Sequence, residues 1–316
     1  SPCGKFLASG GGDKILRIWD METFTLMTSI ESHESWIMNV AWSSCGEYLV
    51  SGALNGKIII CNGKKGELFD IPLRAHKDCV TSISWKPLHL SLEPIFVSSG
   101  KDGNLRCFNI AKRSTTFNIG AHDEAVMKVI WSGENIIYSC SRDKLLKSWN
   151  EEGSLLKVFK GHGHWINTMS INTEFILRTG FYDYEQTAES SGYNKNCYLE
   201  EKSNEEKRDA ALLRYNKIKK NFNFSSIDRI VTGSDDFTMI LWSPGENEKP
   251  ISRLTGHNQL VNHVMFSPNT LFIASGSFDK SIKLWNIKLG KLIITLCTSD
   301  LDWINTLLTL DKSTLV

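Results

Sequence analysis

One short pattern, met near the start and then traced down the chain, constrains the fold more than any other feature. Ser9 stands four residues before Asp13, and Trp19 stands six after it. The same two spacings return with Ser51, Asn55 and Cys61, with Ser98, Asp102 and Phe108, and with Ser139, Asp143 and Trp149. They return again with Thr232, Asp236 and Trp242 and with Ser275, Asp279 and Trp285. Ahead of five of these segments lies a Gly-His pair or its relic, carrying His33, His76, His122, His162 and His257. A strand read as alternating at period two follows each histidine, as in Val80–Trp85 or Val261–Phe266. Turns rich in Pro, Gly or Ser close these runs. Such patterning argues for short antiparallel strands and against helices.

The repeating unit is about forty residues with four strands, the period and signature of a WD40 repeat. Each unit is then one blade of an all-β propeller, and a blade needs neighbours to cover its two apolar faces. About seven blades are represented, five of them complete. Residues 1–20 lack the histidine and first strand of their blade, and residues 292–316 stop before any Trp-Asp. A propeller left open there would expose strand edges. The expectation is a protein longer at both ends, or an incomplete chain. One blade is interrupted by an insertion, residues 178–228. Residues 183–206 are polar and read as a loop. Residues 204–222 read as an amphipathic helix, with Asn204 as its cap and Ala211, Tyr215, Ile218 and Phe222 on one face.

Composition narrows the chemistry. Lys and Arg total 36 against 35 Asp and Glu, so no whole-protein field advertises a nucleic acid or a membrane surface. None of the eight cysteines forms a C-x-x-C pair or stands near histidines at zinc spacing, which argues against a metal site. Gly10, Gly11 and Gly12 are followed by Asp13 and not by the Lys-Ser/Thr of a phosphate loop. No cofactor, small-molecule substrate or membrane-spanning run is expected.

A Ser-His-Asp set is present, but it recurs once per blade, whereas a catalytic triad is a single constellation beside an oxyanion hole. The sets are His257, Ser275, Asp279 and Trp285; His162, Thr232, Asp236 and Trp242; His122, Ser139, Asp143 and Trp149; and His76, Ser98 and Asp102 with Phe108. Repetition points to a structural network in which carboxylate, imidazole, hydroxyl and indole satisfy one another. The set of His33, Ser51, Asn55 and Cys61 is incomplete, and its blade is expected to be the less rigid. No enzyme is read from these residues.

Binding has better candidates. The residue three past each histidine opens the inner strand near one mouth of the channel: Trp36, Cys79, Ala125, Trp165 and Leu260, with Trp303 in the last partial unit. Three tryptophans at one rim suit an interface; packing against the adjoining blade is the other reading. Just before the turn acid stand Lys101, Arg142, Asp235 and Phe278. Lys101 and Arg142, on adjacent blades, offer a small basic patch for phosphate or acidic protein, or are plain solvated charge.

Beyond the general repeat, the chain resembles the Notchless family. The resemblance rests on residues 161–169 (GHGHWINTM), 177–180 (LRTG), 211–216 (ALLRYN), 233–238 (GSDDFT), 241–244 (LWSP) and 277–285 (SFDKSIKLW). It implies an eight-bladed propeller and a non-enzymatic scaffold for assembly of the large ribosomal subunit, in the nucleus and nucleolus. The implied partners are proteins of the precursor particle, rRNA, and a midasin-type AAA ATPase reached through an N-terminal ubiquitin-like domain absent here. Ser299 and Asp300 replace the Gly-His of the family at the last repeat. A WD40 adaptor for short peptide motifs, in signalling or ubiquitin-ligase complexes, is the alternative.

Overall fold

A computed structural model describes residues 1–69, 73–182, 203–221 and 228–297. Trp303, Phe222 and most of the expected 183–206 loop lie outside them. The described residues form two compact units, Ser1–Ile119 with Ile176–Phe222, and Gly120–Phe175 with Asn223–Val316.

The first unit holds three antiparallel sheets. The first is β1 (Phe6–Gly10), β2 (Leu16–Asp20) and β3 (Thr25–Ile30). The second runs β4 (Ile37–Trp42), β5 (Tyr48–Ala53), β6 (Lys57–Asn62) and β7 (Leu73–Arg74). The third runs β8 (Val80–Trp85), β9 (Ile95–Gly100), β10 (Asn104–Asn109) and β11 (Ser114–Gly120). In each, sequence order is spatial order, the meander of a propeller blade. Leu16, Ile18, Leu49 and Cys61 pack the first blade on the second; Ile58, Val80, Ile83 and Phe96 pack the second on the third. Burying each such side chain contributes about 1.5–3 kcal/mol. The approach is close at Gly52, where a methyl group would stand 2.5 Å from Val80 Cγ1.

Three four-stranded meanders make up the second unit. They are β12 (Val126–Trp131), β13 (Ile137–Ser141), β14 (Leu145–Trp149) and β15 (Leu155–Lys160); β16 (Ile166–Ile171), β17 (Ile230–Ser234), β18 (Thr238–Trp242) and β19 (Ser252–Thr255); and β20 (Val261–Phe266), β21 (Phe272–Ser277), β22 (Ser281–Asn286) and β23 (Lys291–Cys297). Phe159 meets the Trp242 ring edge-on at 5.8 Å, one blade on the next.

The inner strands do not alternate simply. Each carries a bulge after its first residue, at Met38, Thr81, Met127, Asn167 and Asn262. The extra residue explains why the apolar positions Val80 and Ile83, or Val261 and Val264, are three apart: a bulge restores the facing of the residues beyond it.

Between β16 and β17 the chain leaves its blade at Asn172, earlier than the residue 178 boundary expected. A short helix α1 (Glu174–Thr179) and a long one, α2 (Asn204–Asn221), follow. Ser203, one residue before the expected cap, makes a reciprocal capping box with Glu206: the Ser203 N–H donates to Glu206 Oε2 at 3.0 Å, and the Glu206 N–H to Ser203 Oγ at 3.3 Å. The helix buries Ala211 against Leu88, Phe181 and Tyr182 of the first unit; Tyr215 is buried too, and Ile218 is half-buried. Tyr215 stacks on His89 at 4.5 Å. Arg214 donates to Thr179 Oγ1 and to the Gly180 carbonyl at 3.1 and 2.7 Å. Gly180 has φ +57°, and a methyl there would come within 2.5 Å of the Ser44 carbonyl, so only glycine fits the docking turn. Among the described residues no helix is long and apolar enough to cross a membrane.

Candidate functional site

The recurring polar residues meet as the spacings suggest. Antiparallel pairing of the second and third strands of a blade places the hydroxyl residue near the aromatic one, while the segment before the inner strand brings in the histidine. His257 Nδ1 lies 2.7 Å from Asp279 Oδ2, and its Nε2 2.7 Å from Ser275 Oγ; the Trp285 indole N–H donates to the same Ser275 Oγ at 2.9 Å. His162, Asp236, Thr232 and Trp242 repeat this at 2.9, 2.8 and 2.9 Å. His122, Asp143, Ser139 and Trp149 do so at 2.6, 2.8 and 2.9 Å. His76 meets Asp102 and Ser98 at 3.0 and 2.8 Å, with Phe108 in the indole's place. One proton order serves all: imidazole Nδ1–H donates to carboxylate, hydroxyl to Nε2, indole N–H to hydroxyl.

Burial would raise the Asp279 carboxyl, but hydrogen bonds from Ser281, His257 and the Asn258 N–H outweigh it and bring it down to about 2. Asp102, Asp143 and Asp236 are lowered in the same way, against the pull of burial. Burial lowers His76 and His257, partly offset by their aspartates. The arrangement is poor for nucleophilic catalysis: Ser98, Ser139, Thr232 and Ser275 are wholly buried, out of reach of any substrate.

Two blades depart from this set. In the first, Trp19 donates to Ser9 Oγ at 2.9 Å, and Asp13 pairs with Arg17. In the second, His33 Nε2 meets Ser51 Oγ at 2.7 Å, but its buried Nδ1 has no partner among the described residues, Asn55 included. Burial, and secondarily the charge of Lys57, lowers this imidazole to about 4. The Cys61 thiol turns to the Leu49 carbonyl instead of the hydroxyl.

The rim positions are tied to these sets. In each of five blades the N–H of the residue before the turn acid donates to the carbonyl of the residue three past the histidine: Leu54 to Trp36, Lys101 to Cys79, Arg142 to Ala125, Asp235 to Trp165, and Phe278 to Leu260, at 2.8–3.2 Å. Trp36 is 56% exposed and shares its surroundings with exposed Met38 and Leu54, while part of its ring lies over Gly12 of the preceding blade. Trp165 is 38% exposed and flanked by His164 at 5.2 Å. Each of these two rings packs with one portion and exposes the rest. Lys101 is exposed, on the first unit; Cys79 and Ala125 are buried; Phe278 is half-buried. Arg142 is not a free surface charge, since its guanidinium lies over the Trp165 ring, 4.6 Å from the centroid. Gly12, Leu54 and the bulge residues were missed as rim positions in the sequence, although the same spacing marks the first two. No cluster of His, Cys, Asp and Glu suited to a metal ion is found among the described residues.

Comparison with known proteins agrees with this architecture. The WD40 family, "WD domain, G-beta repeat", matches residues 1–20, 24–62, 69–109 and 248–286. Ribosome assembly protein 4 of Saccharomyces cerevisiae is 38% identical over 92% of this chain and 55% of its own length. The Notchless protein homolog of Arabidopsis thaliana is 46% identical over 93% of this chain and 59% of its own. The chain therefore spans little more than half the length of these relatives. A solved structure described as U3-55K superposes with a TM-score of 0.68 over 99% of this chain and 83% of that one, at 19% identity, and shows the shared β-propeller fold alone.

Proposed function

This chain belongs to the Notchless family of WD40-repeat proteins, and from that membership we propose that it is a non-enzymatic scaffold for assembly of the large ribosomal subunit. The observation that carries the reading is the similarity, over more than nine-tenths of the chain, to a protein named for ribosome assembly. The buried hydroxyls support the non-enzymatic part. In this reading the protein works in the nucleus and nucleolus and binds proteins, and locally rRNA, of the precursor particle. Its contacts come from the rim residues Trp36, Lys101, Trp165, Arg142 and Phe278, with Trp303 of the last partial repeat, and from α2. Engagement of a midasin-type ATPase belongs to an N-terminal domain of the complete protein.

Gradient sedimentation of the tagged full-length protein tests this. Co-migration with large-subunit precursors is expected. Recovery only in small complexes overturns it and favours a peptide-binding adaptor.

A further inference from the structure

The rim of the second unit carries one side chain whose state is unusual. Arg142 is half-buried, stacked on Trp165, and its Nε is buried without a hydrogen-bond partner. Among the described residues no carboxylate or carbonyl accepts from the guanidinium. Stacking fixes the plane of the group. A planar fork held in place and lacking an acceptor is suited to a bidentate oxyanion.

Its surroundings choose between oxyanions. Asp235 is bonded through its N–H to the Trp165 carbonyl, and its carboxylate takes Asn167 Nδ2. Asp123 and Glu124 are exposed on the segment leading to Ala125, whose carbonyl holds the Arg142 N–H. Arg142 is the one cation among the unit's three residues that precede a turn acid, Arg142, Asp235 and Phe278, and Asp235 is itself answered by Asn167 and lies beside His164. A nucleic acid strand needs several cations along its track, whereas a single carboxylate needs one. Apolar surface is at hand as well, in the exposed part of the Trp165 ring itself.

We propose that Arg142, seated on Trp165, receives an Asp or Glu side chain of a protein segment whose neighbouring residue is apolar or aromatic. The proposal rests on the reading of this rim as a contact surface. It assigns the second unit's mouth to protein and not to RNA.

The test presents the full-length protein to a peptide library randomised at every position, with an oligouridine as the RNA probe. Peptides carrying Asp or Glu beside an apolar residue are expected to be enriched. Resynthesised, they should weaken about tenfold to hundredfold when the acid becomes its amide or when Arg142→Gln is introduced, the range for a hydrogen bond to a charged group. Arg142→Lys should restore only part, since an ammonium lacks the fork. Arg142 accepts no fold-stabilising partner beyond the ring, so Arg142→Gln should melt within a few degrees of the parent. If it does not, Arg142→Glu against peptides with Lys in place of the acid gives a rescue that a folding defect cannot mimic. Enrichment without acids, no enrichment, undiminished binding by Arg142→Gln, or oligouridine binding that Arg142→Gln abolishes would each overturn the proposal. Sedimentation with precursor particles is scored separately, so the assembly reading can stand while this assignment fails, and the reverse.

Discussion

The blade built around His257 and the blade built around His33 differ in two side chains, and the difference shows what the repeated motif is for. In the first, carboxylate, imidazole, hydroxyl and indole form an unbroken chain, with both imidazole nitrogens and the indole N–H of the set answered. In the second, Asn55 and Cys61 replace the acid and the indole, and a buried imidazole nitrogen is left alone. The apolar packing of the second blade is nonetheless complete, with Leu49, Val50, Ile58 and Ile59 fully or almost fully buried. Hydrophobic contact therefore suffices to form a blade. The polar set adds stability and pins the loop that leads into the inner strand.

The largest effect that would break this comparison is at the hydroxyl. Ser275→Ala orphans both the Trp285 N–H and His257 Nε2, at about 1–3 kcal/mol for each buried group, so a loss of about 3 kcal/mol is expected in urea unfolding. Ser51→Ala orphans only His33 Nε2 and should cost about 1 kcal/mol. Equal losses would mean that the indole contributes nothing. Next comes repair: Asn55→Asp offers the missing acceptor and should stabilise by about 1 kcal/mol while raising the titration of His33 from its value near 4, read by NMR.

Acid should sharpen the contrast further. A folded His33 lowered to about 4 binds its proton later than the unfolded chain, near 6.5, so stability is full above 6.5 and falls as pH drops toward 4. His263, also lowered to about 4 by burial and by Lys128, adds to that window. The part that Asn55→Asp removes from the thermal melting profile is the part due to His33. Asp279, lowered from 3.8 to about 2, holds its contribution through this range and loses it only as pH falls through about 2. Smallest of all, Trp36→Ser should shift unfolding by about 0.5 kcal/mol or less, as an exposed position without a polar partner.

Much of this was legible in the residues. The spacing of four and six placed every hydroxyl, acid and indole of the complete sets, because antiparallel pairing across a fixed turn turns sequence distance into position. The capping residue was misplaced by one, since Ser203 and Asn204 have equal capping chemistry and only Glu206, three after Ser203, discriminates. The bulges were written in the three-residue spacing of Val80 and Ile83, yet hidden by the expectation of period two. The stacking of Arg142 on Trp165 joins residues of successive blades, and no local pattern encodes which way a long cation turns.

The interrupted blade has a kinetic consequence. His162 must find Thr232 across 70 residues, whereas His122 and His257 reach their hydroxyls across 17 and 18. Closing the longer loop costs about 1 kcal/mol more in chain entropy. During synthesis β16 emerges long before β17, so its blade is the last of the second unit's first two to be completed, and β12–β15 stand ready as the template on which it closes.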